Sequence, residues 1–264
     1  MSIPRFLLPV VTIWWREIIR FLRQRSRLVS AIAQPLIFWL LLGSGLNASF
    51  NPPGVPEGTS YIEYFYPGII TLTLLFTAIF ATISVVQDRR EGFLQGVLVA
   101  PVSRWVIVLG QALGGTTLAL VQGALFLFLA PIVGVPLSPF SVLSALGVML
   151  TLSFGLTNLG LMIAWRMDST QGFHAIMNLI LIPVWLLSGA FFPVSGVPIL
   201  LEWVMKLNPL TYGVAALRRC LYFNTPVGSE EIPQLVLSLL VTGAFCVVTY
   251  FGAARTAYRR PNVA

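Results

Sequence analysis

The chain has 264 residues, 57% of them hydrophobic and only 9% charged, with a net charge of +7 and a mean hydropathy of +0.87. A water-soluble domain of this length needs far more polar surface, so the composition excludes one and makes the bilayer the expected solvent. Tracts without any charge, 105–137 and 173–201, exceed the roughly 20 apolar residues with which a helix crosses the hydrocarbon core. A backbone in lipid must satisfy its own hydrogen bonds, and nothing here alternates as a spanning strand would; the expected fold class is all-α integral membrane.

Residues 9–27 open the chain with an amphipathic pattern. Val11, Trp14, Trp15, Ile18 and Leu22 fall on one side of a helix, and Arg16, Arg20, Arg23 and Arg27 on the other. Such a helix lies in the membrane interface, near anionic headgroups, either as an anchor alone or as an anchor that also touches a cytosolic partner. No cleavable leader is expected, because Pro9 and then Arg16 and Glu17 interrupt the first apolar run.

Six spans follow, at about 28–46, 64–86, 104–132, 139–165, 173–192 and 233–253. With the N-terminus inside, thirteen of the 16 basic residues fall on the cytoplasmic side, leaving only Lys206, Arg218 and Arg219 outside. The positive-inside rule then puts both termini in the cytoplasm of a multi-pass cell-membrane protein. On the outer side, 51–60 is a Pro/Gly turn region and 61–66 carries four aromatics at belt height.

Between spans two and three lies "QDRREGFLQGVLVAPVSR", 87–104, the most charged stretch of the interior. Over 88–101 it reads as a short helix: Phe93, Leu94, Val97 and Leu98 make an apolar face, Arg89, Arg90, Glu91 and Gln95 a polar margin, Pro101 stops it and Ser103 can cap the next helix. An apolar ridge with a charged flank is shaped to dock into a groove on a partner.

In span three, Gly110 and Gly114 have GxxxG spacing, and span four contains Gly155, Asn158 and Gly160; both read as close helix packing, with the lining of a polar path as the other reading. Asn178 and Pro183 in span five precede "SGAFFPVSGVP", 188–198, where the helix is expected to break off. Residues 193–220 are apolar but interrupted by Glu202, Lys206, Asn208 and Pro209, so a re-entrant pair of short helices is expected there, shielded from lipid by the rest of the protein.

Chemistry on the chain itself is poorly supplied. Cys220 and Cys246 stand apart and read as small buried residues, and a sole histidine, His174, cannot build a metal site, so none is expected. Asp168 and His174 read as helix-end and interfacial groups rather than an acid/base pair. A phosphate-cradling loop needs a lysine after its glycines, and Lys206, the one lysine, lies in "EWVMKLNP". The six spans hold no midplane charge, which argues against ion-coupled transport.

The stretch 65–115, "FYPGIITLTLLFTAIFATISVVQDRREGFLQGVLVAPVSRWVIVLGQALGG", with "LSGAFFPVSGVP" and "LNPLTYGVAALR", resembles the permease subunits of type-2 ABC transporters, in the branch of daunorubicin-resistance and nodulation lipo-oligosaccharide permeases. The resemblance implies six spans, an amphipathic connecting helix (Trp14, Trp15, Arg16, Arg20, Arg23) and a cytoplasmic coupling helix (Arg89, Arg90, Glu91, Gly92, Phe93, Leu94, Val97, Leu98). It implies no ATP or Mg on this chain, two copies of a cytosolic ABC ATPase that carries both, and a second copy of this chain or a related permease. Substrate would pass along the interface of the two permeases, for which spans one, two and five are favoured. Asn158, Asn178 and Pro183 stand as pathway or packing residues, membrane lipid is a partner and nucleic acid is not. The expected function is therefore ATP-driven export of an amphipathic drug, lipid or lipid-linked saccharide, the chain being no enzyme by itself; a passive channel and a membrane enzyme acting on lipid-linked substrates stand beside it.

Overall fold

A computed structural model describes residues 3–46, 60–99, 101–135, 137–194, 197–222 and 233–259. All regular structure in these residues is helical: α1 (Ile3–Arg23), α2 (Arg25–Leu46), α3 (Tyr61–Ala81), α4 (Ile83–Arg90), α5 (Phe93–Val99), α6 (Arg104–Phe128), α7 (Pro139–Ala164), α8 (Thr170–Trp185), α9 (Ile199–Leu207), α10 (Pro209–Leu221) and α11 (Leu235–Arg259).

Five helices among the described residues are long and apolar enough to cross a membrane: Tyr61–Arg90, Arg104–Phe128, Pro139–Ala164, Thr170–Ala190 and Leu235–Tyr258. They coincide with the second to sixth expected spans. The expected first span falls on α2, 22 residues long, several of whose side chains lie outside the described residues, as do the turn region 51–59 and the side chain of Leu98.

The order of packing follows from where small residues allow backbones to meet. α3 runs through the centre, touching α2, α6, α7, α8 and α10. A Cβ on Gly115 of α6 would stand 2.6 Å from Thr157 of α7, and one on Gly160 of α7 would stand 2.8 Å from the Thr82 hydroxyl. On the outside of α7, Gly155 and α11's Gly252 admit Phe245 and Met162 in the same way. These glycines are contact points at which any side chain would force helices apart.

Past its first turn only Phe76, Phe80 and Ala81 of α3 keep partial exposure, so this helix is largely enclosed by the chain's own helices. α8 and α2 do present open apolar faces, Ile176, Leu179 and Ile182 on one and Ile37, Leu40 and Leu41 on the other.

Two charged side chains tie helix ends together at the basic end. Arg89 donates to the carbonyls of Trp165 and Met167 at 2.8 and 2.7 Å, satisfying the last turn of α7. Arg104 does the same for α11 through Ala257 and Tyr258, at 2.6 and 3.0 Å. Cations at helix C-termini meet both the orphan carbonyls and the negative end of the dipole.

Candidate functional site at the basic end

The helix expected over 9–27 starts earlier and stops sooner: α1 runs from Ile3 to Arg23 through Pro9, and the chain breaks at Gln24 before α2. Its apolar side divides into two stripes. Val10, Ile13, Glu17 and Phe21 turn inward, while Val11, Trp15 and Leu22, expected on one face with Trp14 and Ile18, are more than half exposed. The inward stripe wins because α6 receives it without side chains. A Cβ on Gly110 would stand 2.8 Å from that of Ile13, and one on Gly114 2.7 Å from that of Glu17. Trp14 closes the contact with an indole N–H donated to the Thr117 hydroxyl at 3.0 Å.

Seating α1 in this groove carries its arginines onto α4. Arg16 grips both oxygens of Asp88 at 2.7 and 2.6 Å. Arg20 donates to Asp88 Oδ1 at 2.5 Å and to Gln87 Oε1 at 2.9 Å, and lies 4.0 Å from Glu91. Asp88 is 1% exposed, so these charge-assisted bonds form away from water, where they are short and strong. Glu17 is buried beside them: burial holds its carboxyl above the ordinary carboxylate range, and nearby Asp88 adds to this, against opposing pulls from Ser84, Arg16 and Arg20. The Asp88 carboxylate in turn raises the Arg16 guanidinium, so this side chain stays charged throughout.

α5 hangs below this cluster. Gly92, at φ +78, makes the turn out of α4, a left-handed conformation that a side chain resists. The apolar ridge expected on α5 does not all face outward. Leu94 is 4% exposed and belongs to the chain's own core, with Val97 packed against it, because a seven-residue helix flush against the bundle must bury one side. Phe93 is 45% exposed, one face covered by the Arg16 guanidinium at 3.8 Å. What α5 offers to the outside is the open side of Phe93, Gln95, Gly96 and Val99, flanked by Arg90 and Glu91. Ser103 stands at the start of α6 but its hydroxyl does not cap the helix; it shares a hydrogen with Tyr258 at 3.4 Å.

The remaining expected residues scatter. Arg23 is exposed at the end of α1. Asn158 is fully buried between helices, its amide donating to Phe154 O at 2.8 Å. Asn178 and Pro183 are exposed on α8. Asp168 does not cap α8: Ser169 does, while Asp168 pairs with Arg89 at 3.2 Å and His174 stacks on Phe80 at 5.0 Å. Cys220 and Cys246 are buried thiols. No group of three side chains able to hold a metal occurs among the described residues.

At the opposite end, α8 breaks where 188–198 indicated, through a wide turn over Leu186–Ala190 with Gly189 at φ +72. Several of the carbonyls around the break are answered by side chains. Asn208 donates to Val184 O and Leu187 O at 2.7 and 3.1 Å, Tyr61 to Phe191 O at 3.3 Å, and Tyr64 and Arg218 to Gly189 O at 3.3 and 3.1 Å. Trp185 reaches back to Gly68 O at 3.0 Å. The two short helices expected in 193–220 are α9 and α10, and α10 brings in Arg218, 4% exposed, over the Tyr64 ring at 4.1 Å.

Three of these groups escaped the reading of residues alone. Arg16 and Arg20, one turn apart on the same helix, required an anion between them, which was the available signal for Asp88. Glu17 and Arg218 gave none, since a charge beside other charges reads as solvated until the helix is seated.

A family model described as ABC-2 type transporter matches residues 9–222. A protein of Porphyra purpurea named as a transport permease, ycf38, is 30% identical over 244 residues, covering 85% of this chain and 82% of that one. Nodulation protein J of Rhizobium leguminosarum bv. trifolii is 27% identical, with 82% of each chain covered. The inner membrane transport permease YhhJ of Escherichia coli (strain K12) is 25% identical, over 78% of this chain and 54% of that one.

Proposed function

This chain belongs to the ABC-2 type transporter family, and from that premise we propose that it is the membrane half of an ATP-driven exporter. Two copies pair across the open faces of α2 and α8, with the basic end and both termini in the cytoplasm. Each copy receives a cytosolic ATPase, which carries ATP and Mg. Closure of the ATPase pair pushes on α5, tilts the spans and moves an amphipathic drug, a lipid or a lipid-linked saccharide outward between the copies.

The observation that carries this reading is α5: a short helix fixed on one side by Leu94 and on the other by Arg16, yet presenting Phe93 and Val99, the latter 82% exposed, at the basic end. No described residue covers Val99, and large apolar side chains in a polar surround are what docking sites are made of. The test is co-expression with a phosphate-loop ATPase encoded beside it, followed by purification in detergent. A stable complex with one ATPase per permease supports the reading; a permease that purifies free of the ATPase and equilibrates substrate without ATP contradicts it.

A further inference from the structure

On its entry side α5 is joined to α4 by a turn and not by continuous helix. There Gly92 lies in open space, so that even a Cβ would meet nothing within 4 Å, and Gln95 N to Gly92 O at 3.2 Å is the first bond of the new helix. On the exit side Pro101 ends it before Ser103 and α6. Apart from these connections α5 is seated by Leu94 and Val97, and a helix of seven residues depends on such packing for its stability, so a further brace stiffens it.

α1 supplies the brace. The Arg16 guanidinium lies on Phe93 and holds Asp88 with two bonds, and Arg20 adds a third to the same carboxylate. Among the described residues the charged groups paired in the cluster come from α1 or from 87–91: Arg16, Glu17 and Arg20 on one side, Asp88 and Glu91 on the other. On its far side α1 is seated without slack, Ile13 and Glu17 against Gly110 and Gly114 and Trp14 bonded to Thr117. One buried carboxylate therefore lies between the exposed end of α5 and a groove in the middle of the third-span helix.

We propose that Asp88 is a positioning residue that makes α1, α4 and α5 a single lever, so that force arriving at α5 enters α6 through the Gly110/Gly114 groove as well as through the chain connecting them. The inference rests on the exporter reading for the origin of the force, but the brace itself is a property of this chain. Asp88→Asn keeps the shape and cannot hold two guanidinium groups, which are left half-buried and repelling.

Hydrogen–deuterium exchange of the full chain in lipid nanodiscs tests the brace without any partner. In Asp88→Asn the amides of α5 and of residues 10–23 exchange together, faster by about tenfold or more, while α3 and α7 keep wild-type rates. Asp88→Glu restores most of the protection. Phe93→Ala, which leaves the ions intact, loosens α5 alone, and it carries the test if Asp88→Asn does not fold. Unchanged exchange in α1 and α5 of Asp88→Asn, or loss confined to α5, overturns the lever. In the complex with the ATPase, Asp88→Asn keeps ATP hydrolysis and loses at least about tenfold in transport per ATP hydrolysed; equal loss of both overturns the proposal. Failure of wild type to bind an ATPase would sink the exporter reading and leave the exchange result standing.

Discussion

Arg218 takes a full charge into the protein with no ion pair to answer it among the described residues; two carbonyls and the face of Tyr64 serve instead. A guanidinium suits this because one of its nitrogens, Nη2, donates to both carbonyls while the planar group lies on a ring. Arg218→Lys therefore keeps the buried charge and loses the planar stacking on Tyr64, and is expected to destabilise by about 2 kcal/mol, whereas Arg218→Met removes the charge and costs less. Denaturant unfolding in detergent ranks the two; the reverse order would mean that charge alone is required. Glu17 gives a pH dependence of defined sign. Its carboxyl is raised in the folded chain, so the protonated form is the one the seat favours: its contribution is complete below the ordinary glutamate value and is lost as pH rises through the raised one. Glu17→Gln should gain stability relative to wild type as pH rises from about 4.5, read as the difference between the two unfolding curves. A constant difference across that range would contradict the burial account.

At the scale of elements, glycines decide which helices touch. Gly110→Val or Gly114→Val drives a side chain into Ile13, Glu17 and the backbone of Val10, and should cost about 1–3 kcal/mol while raising amide exchange along α1. Gly147 of α7 has nothing within 4 Å, so Gly147→Ala should be neutral or stabilising by up to about 1 kcal/mol. Equal effects at the three positions would remove the groove from the account. The GxxxG spacing was legible as a packing device, but not its occupant: residue spacing tells that a helix can approach, and only the fold brings in α1. The same limit applies to α5. Its existence and its end before Pro101 could be read, but the single helix expected over 88–101 is divided at Gly92 between α4 and α5, and the ridge of Phe93, Leu94 and Val97 divides between core and surface, since a periodic pattern does not say which part of an apolar face the chain uses itself.

For the whole molecule, the two ends are built differently around one central helix, Tyr61–Arg90. One end gathers arginines on Asp88 and helix termini; the other gathers tyrosines, Asn208 and Arg218 around a broken helix. Hydropathy and charge placement made the class and five of the spans legible, because lipid imposes them directly. The enclosure of α3 was not legible, because a span that faces protein and one that faces lipid have the same composition. The central claim is that α5 is where an ATPase engages. It is tested most directly by measuring binding and ATP hydrolysis of the reconstituted complex for wild type and for Phe93→Asp with Val99→Asp, which spares the core residue Leu94. The account predicts that the double variant inserts and folds normally while its affinity for the ATPase falls by roughly thirtyfold or more, about 2 kcal/mol; wild-type affinity and hydrolysis in that variant would contradict it.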